Sequence, residues 1–194
     1  QVEGVYDALR HNRKLLISPT ASGKSLMIYS IVRYFVEKGK NTLIVVPTTS
    51  LVEQMYKDFS DYGWDVGSFC HKIYAGKERE TNSQVIITTW QSIYKLPRKY
   101  FERFSVVIGD EAHQFKSKSL ISIMTKLADA KYRYGFTGTL DGTQTHKWVL
   151  EGLFGPSYKI IKTEELMKKG HVATLDINVL LLKHSPNKFE TFED

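Results

Sequence analysis

Lys14-Leu-Leu-Ile-Ser-Pro-Thr-Ala-Ser-Gly-Lys-Ser25 is the stretch that decides the fold. Lys14 to Ile17 is an apolar strand, Ser18 to Ser25 a short loop, and beyond it Ile28, Ile31, Val32, Phe35 and Val36 recur at helical spacing. A Gly-Lys-Ser end between a strand and a helix is the setting of a phosphate-cradling loop. A triphosphate carries several negative charges, and a helix N-terminus offers unpaired N–H groups and the positive end of a dipole. Thr20, Ala21, Ser22, Gly23 and Lys24 are therefore expected to wrap the phosphates. Gly23 allows the close approach, Lys24 reaches the β- and γ-phosphates as a point charge, and the Ser25 hydroxyl is expected to ligate Mg²⁺. Gly-Lys-Ser alone would also serve as an ordinary helix start; its context argues against that.

Such a loop needs an acidic residue at the end of a second buried strand to hold the cation. Val106-Val-Ile-Gly-Asp-Glu-Ala-His113 supplies one. The apolar, β-branched run ending at Ile108 reads as a central parallel strand covered on both faces, which places Asp110 at its carboxyl end. Asp110 is thus expected on Mg²⁺, and the adjacent Glu111 as the group that polarises the attacking water. A solvated acidic turn is the plainer reading of the same pair.

Asp110-Glu-Ala-His113 resembles motif II of the DEAH-type superfamily 2 helicases, and further matches follow in the family's order. Val46-Pro-Thr-Thr-Ser-Leu-Val-Glu-Gln54 resembles motif Ia, Val85-Ile-Ile-Thr-Thr-Trp-Gln-Ser92 the strand-end motif Ic, and Gly135-Phe-Thr-Gly-Thr139 motif III. Gln1 resembles the glutamine that reads the adenine edge. The pattern departs from the family at Ser18, where Gly is usual, at Ala21, which replaces a loop glycine, and at Gly138 in motif III. The run from Gln1 through Leu153-Phe-Gly155 and Lys169-Gly-His-Val172 is most similar to phage branched-DNA helicases within that superfamily.

The resemblance implies the first RecA-like motor domain of an ATP- and Mg²⁺-dependent DNA helicase or translocase. Lys24 and Glu111 would be catalytic, while His113, Thr137 and Thr139 would couple hydrolysis to the grip on DNA. Branched or duplex DNA, held without sequence preference, and a second motor domain of the same chain are the implied partners. Thr48, Ser50, Thr88 and Thr89 are the candidate phosphate contacts, because hydroxyls and backbone N–H groups fix register without reading bases. Ser50 also fits a capping box with Glu53, so cap and DNA contact both stay open for it. Trp90 stacks on a base or belongs to the core, and Arg98, Lys99 and Arg103 touch DNA or form a solvated face.

The alternation of elements supports an α/β, RecA-like phosphate-loop fold, a central and mainly parallel sheet with helices on both faces. Strands are expected near 14–18, 42–47, 68–74, 84–89, 104–110 and 132–137, and helices near 24–38, 50–61, 91–96, 118–128 and 145–153. Residues 1–155 are expected to form motor domain 1, 156–185 its C-terminal part leading toward motor domain 2, and 186–194 a linker. Within 156–185 a short helix at 164–169 and an apolar strand at 175–182 are expected. Motor domain 2 is not expected among these residues.

Composition limits the alternatives. The chain has 194 residues, 42% hydrophobic and 25% charged, with a net charge of +6 that suits a polyanionic partner. No apolar run approaches the roughly 20 residues a membrane span needs, and no secretory signal peptide is expected. A lone cysteine, Cys70, suggests a reducing compartment. The expected location is the cytoplasm, that of the host if the protein is of phage origin. The histidines show no metal-site spacing. Two rival readings of the residues remain: a nucleic-acid binding module with a vestigial nucleotide site, and a phosphate-loop kinase.

Overall fold

The computed structural model describes residues 2–19, 22–74, 81–115, 117–138 and 144–160. The expectations for Gln1, Thr20, Ala21 and Thr139, and for the segments at 164–169, 175–182 and 186–194, lie outside those residues.

Parallel strands form the centre. The strands β1 (Arg13–Ile17), β2 (Thr42–Val46), β3 (Cys70–Ile73), β4 (Val85–Thr89), β5 (Val106–Gly109), β6 (Tyr132–Thr137) and β7 (Ser157–Lys159) make one seven-stranded sheet in the order β3-β4-β2-β5-β6-β1-β7. Every pairing is parallel. β2 is buried at every position, as a strand covered on both faces must be.

Helices cover both faces, and the period-2 alternation of the strands decides which side chain meets which layer. Leu16, Ile44, Val46, Ile87, Ile108 and Phe136 point into one core with α1 (Val2–Arg10), α2 (Lys24–Glu37), α3 (Thr49–Asp61) and α4 (Val66–Phe69). Leu15, Leu43, Val45, Ile86 and Val107 point into the other, with α5 (Trp90–Ile93), α6 (Arg98–Phe101), α7 (Lys118–Lys126) and α8 (Gln144–Phe154). On α2 the anticipated stripe Ile28, Ile31, Val32, Phe35 and Val36 is buried, each side chain contributing about 1.5–3 kcal/mol.

Close approach explains two glycines. Gly109 and Gly135 are paired in register on β5 and β6. A Cβ on Gly109 would stand 2.8 Å from both Phe115 and Phe154, and one on Gly135 would stand 2.9 Å from Phe154. The two rings fill the hollow edge to face, with centroids 5.0 Å apart.

Some local expectations change. α1 was not anticipated, nor were the single-turn helices α4 and α6. The cap of α3 is Thr48 rather than Ser50: Thr48 is extended (φ −131, ψ 157) and its hydroxyl accepts from the Leu51 N–H at 3.3 Å. Ser50 falls inside the first turn, and Glu53 pairs instead with Lys72 at 2.8 Å and with the Tyr74 hydroxyl. Trp90 is half-buried against the second core, edge on to Tyr94.

Candidate functional site

The loop after β1, the turn after β5 and the end of β6 meet at the carboxyl edge of the sheet, where ligands bind in open α/β folds. Gly23 adopts φ 82, a left-handed conformation that only glycine takes readily, and from there the chain turns directly into α2. Ser18, at the family's glycine position, is fully buried, and its hydroxyl lies 2.5 Å from that of Ser22. The same hydroxyl of Ser22 donates to the Pro19 carbonyl at 2.5 Å. Side-chain hydrogen bonds thus hold the entry to the loop where the family pattern has a flexible residue.

Lys24 and Glu111 form an ion pair with Nζ and Oε1 3.2 Å apart, across 87 residues of sequence. Glu111 has φ 49 and ψ 50, and is the single non-glycine residue with positive φ among those described. Strained backbone of this kind persists only where the surroundings impose it, and it concentrates at functional sites. Here it swings the Glu111 side chain toward Lys24. Its second oxygen lies 3.3 Å from His113 Nδ1, and the same nitrogen lies 3.1 Å from Thr137 Oγ1. The Thr137 carbonyl accepts the Ser18 N–H at 2.8 Å. Loop, acidic turn and β6 are thereby joined in a closed ring: Ser18, Thr137, His113, Glu111, Lys24.

Asp110 lies beside the ring, buried, with Oδ1 accepting the Glu111 N–H at 3.0 Å. Burial, and next the Glu111 charge, push its carboxyl up to about 6, with Lys24 and His113 pulling the other way. A buried carboxylate with so little compensating charge suits a hard cation that prefers oxygen ligands. Pro47, Trp90, Asp110 and Gln114 line one recess, which brings the Ia, Ic and II segments together.

Ser25 is placed differently from the expectation. Its hydroxyl donates to Asp58 Oδ2 at 2.6 Å and lies 2.9 Å from the Tyr62 hydroxyl, both at the far end of α3. Nothing in the sequence pointed to Asp58, in the last turn of a helix read only for its apolar face, or to Tyr62, which caps that helix. Of the candidate DNA contacts, Thr48 and Ser50 are exposed. Thr88 is fully buried, its hydroxyl donating to the Ile73 carbonyl at 2.8 Å. The Thr89 hydroxyl pairs with Ser92 at 2.9 Å. Those two hydroxyls are turned into the fold rather than toward a nucleic acid. Arg103 likewise serves the fold, donating to the Thr81 and Ser83 carbonyls, and Arg98 pairs with Asp129 at 3.4 Å. No cluster of metal-binding side chains occurs among the described residues, and none of their helices is long and apolar enough to cross a membrane.

Residues 2–142 match the sequence pattern of the family described as type III restriction enzyme, res subunit. The chain is 34% identical over 197 residues to the ATP-dependent DNA helicase UvsW of Enterobacteria phage T4, covering 98% of this chain and 39% of that protein. The crystal structure of the UvsW helicase from bacteriophage T4 superposes with a TM-score of 0.74 at 32% identity, over 81% of this chain and 57% of that one. The Hef helicase domain of Pyrococcus furiosus gives a TM-score of 0.69 at 21% identity, over 81% of this chain and 36% of that one, a likeness of fold alone. The chain therefore belongs to the family described as type III restriction enzyme, res subunit, and is a superfamily 2 helicase RecA-like domain resembling UvsW.

Proposed function

We propose that this chain is the first motor domain of an ATP-dependent DNA helicase or translocase that works on branched DNA, such as forks and recombination intermediates. The ring from Ser18 to Lys24 carries the reading, because it sets the loop cation, the acidic turn and a β6 hydroxyl in contact. The likeness to UvsW, named as an ATP-dependent DNA helicase, supports it.

Lys24 exchanges the Glu111 carboxylate for the β- and γ-phosphates, alongside the N–H groups of the loop from Thr20 to Gly23. Asp110 and Ser25 would hold Mg²⁺. A bound magnesium ion would neutralise charge gathering on the phosphate oxygens. Glu111, released from Lys24, orients the attacking water. His113, set between Glu111 and Thr137, reports the state of the phosphates to β6, and through Thr139 to the DNA-facing side. Gln1 reads the adenine edge. Thr48 and Ser50, at the start of α3, touch DNA phosphates with their hydroxyls, whereas Thr88 and Thr89 have only backbone groups to offer. The second motor domain supplies arginines to the γ-phosphate, a contribution worth about 10³ to 10⁵ in rate. The work takes place in the cytoplasm, that of the host for a phage protein.

Titration of the 194-residue chain with a fluorescent ATP analogue and Mg²⁺ tests the nucleotide site, with Lys24→Ala expected to weaken binding at least about tenfold. Equal binding by the variant would overturn the site. A steady-state ATPase assay with and without forked DNA tests the two-domain reading, and brisk DNA-stimulated turnover by this chain alone would refute it.

A further inference from the structure

The Ser25 hydroxyl has one hydrogen, and Asp58 Oδ2 accepts it at 2.6 Å. The Tyr62 hydroxyl, 2.9 Å away, then donates to one of the remaining lone pairs. Asp58 and Tyr62 are held in place independently of Ser25. Phe59, between them on α3, is fully buried. Tyr62 packs its ring on Tyr29 of α2 with centroids 5.2 Å apart, and the Tyr29 hydroxyl reaches the Tyr62 carbonyl at 3.5 Å. Among the described residues no hydrogen bond joins Ser25 to Asp110. The side chain that the proposed function assigns to the cation is committed to another helix.

We propose that Asp58 and Tyr62 are positioning residues that hold Ser25 away from the cation, so that Mg²⁺ binds with Ser25 only after α3 gives it up. The inference rests on the nucleotide reading above. Its physical content is a competition: the cation-competent orientation of Ser25 is a fraction of the total, and apparent affinity falls by that fraction. α3 begins at Thr49, capped by Thr48, on the side assigned to DNA. Release of its far end by Ser25 therefore links cation binding to the helix that faces the nucleic acid.

The test is calorimetric titration of the whole chain with ADP, in Mg²⁺ and in EDTA. For Asp58→Ala the Mg²⁺-dependent gain in affinity is expected to rise roughly two- to tenfold, the range for one partly exposed hydrogen bond. Tyr62→Phe keeps the ring against Tyr29 and is expected to move the gain in the same direction by less. In a Ser25→Ala background neither change should have an effect. An unchanged or smaller Mg²⁺ gain in both variants, with nucleotide still bound, would overturn the positioning role and leave the nucleotide site standing. Absence of nucleotide binding under either condition would overturn both.

Discussion

Replacing Asp110 with Asn should stabilise the chain when no cation is present, and the gain should depend on pH. The Asp110 carboxyl is pushed up to about 6 from an ordinary 3.8, chiefly by burial. A gap of about two units corresponds to about 3 kcal/mol between the charged and neutral forms. The folded state takes up the proton more readily than the unfolded chain. Its advantage is therefore complete below the unfolded value and lost as pH rises through 6. At pH 8 Asp110 is charged in both states and the native chain bears the full cost. Asn keeps an oxygen for the Glu111 N–H, now 3.0 Å from Oδ1, and carries no charge at any pH. The variant should gain up to about 3 kcal/mol at pH 8 and about 1 kcal/mol at pH 4.5. For a chain of this size the larger figure is roughly 6–12 °C in Tm. Urea unfolding of both proteins in EDTA at the two pH values measures the difference. Equal stabilities at pH 8, or a gain independent of pH, would refute the assignment of a buried, costly charge. With Mg²⁺ and nucleotide present the order should reverse, since only the carboxylate gains a partner.

Other consequences follow from single residues. Gly155→Ala should cost about 3–5 kcal/mol, because φ is +99 there and the new Cβ would lie 2.7 Å from the Arg13 carbonyl oxygen; urea unfolding with an unchanged midpoint would contradict that. Cys70 is buried and its thiol is pushed up to about 12, so a disulfide reagent should titrate one thiol only after unfolding; native labelling within minutes would show the side chain accessible. Glu111→Gln should retain nucleotide, since Lys24 loses only a competing anion, while hydrolysis in a two-domain motor falls about 10²- to 10⁴-fold. Rapid turnover by that variant would remove Glu111 from its role.

The sheet was legible because its strands are uninterrupted apolar runs and its helices carry unambiguous stripes. β2 and α2 fall within a residue or so of the expected limits. α1 was hidden because the residues it buries include the small Gly4 and Ala8, while the large apolar Val2 and Tyr6 are exposed, so which face packs is settled only by tertiary contact. The partners Lys24, Asp110, Glu111, His113 and Thr137 were named from motifs, and the fold brings them to one edge of the sheet. What no motif could supply is a side chain's choice among partners. Thr88 looks like a strand-end hydroxyl in sequence, yet it spends its hydrogen on the Ile73 carbonyl because its strand lies between two others. Ser25 meets Asp58 through the crossing of α2 and α3, a relation that spacing along one chain does not encode. The capping role passed from Ser50 to Thr48 because the chain stays extended up to Thr48.

The ring of Phe115, sunk into the hollow over Gly109, has a mechanical meaning for the acidic turn. The turn is fastened to the sheet by β5 at Gly109 and again by that ring, with only Asp110 to Gln114 spanning the gap. A span anchored so closely at both ends cannot slide or lift as a flap would. On the function proposed above, nucleotide arrival would be registered there by torsion of side chains about a closely anchored backbone, and the larger displacements of a motor would be taken up elsewhere.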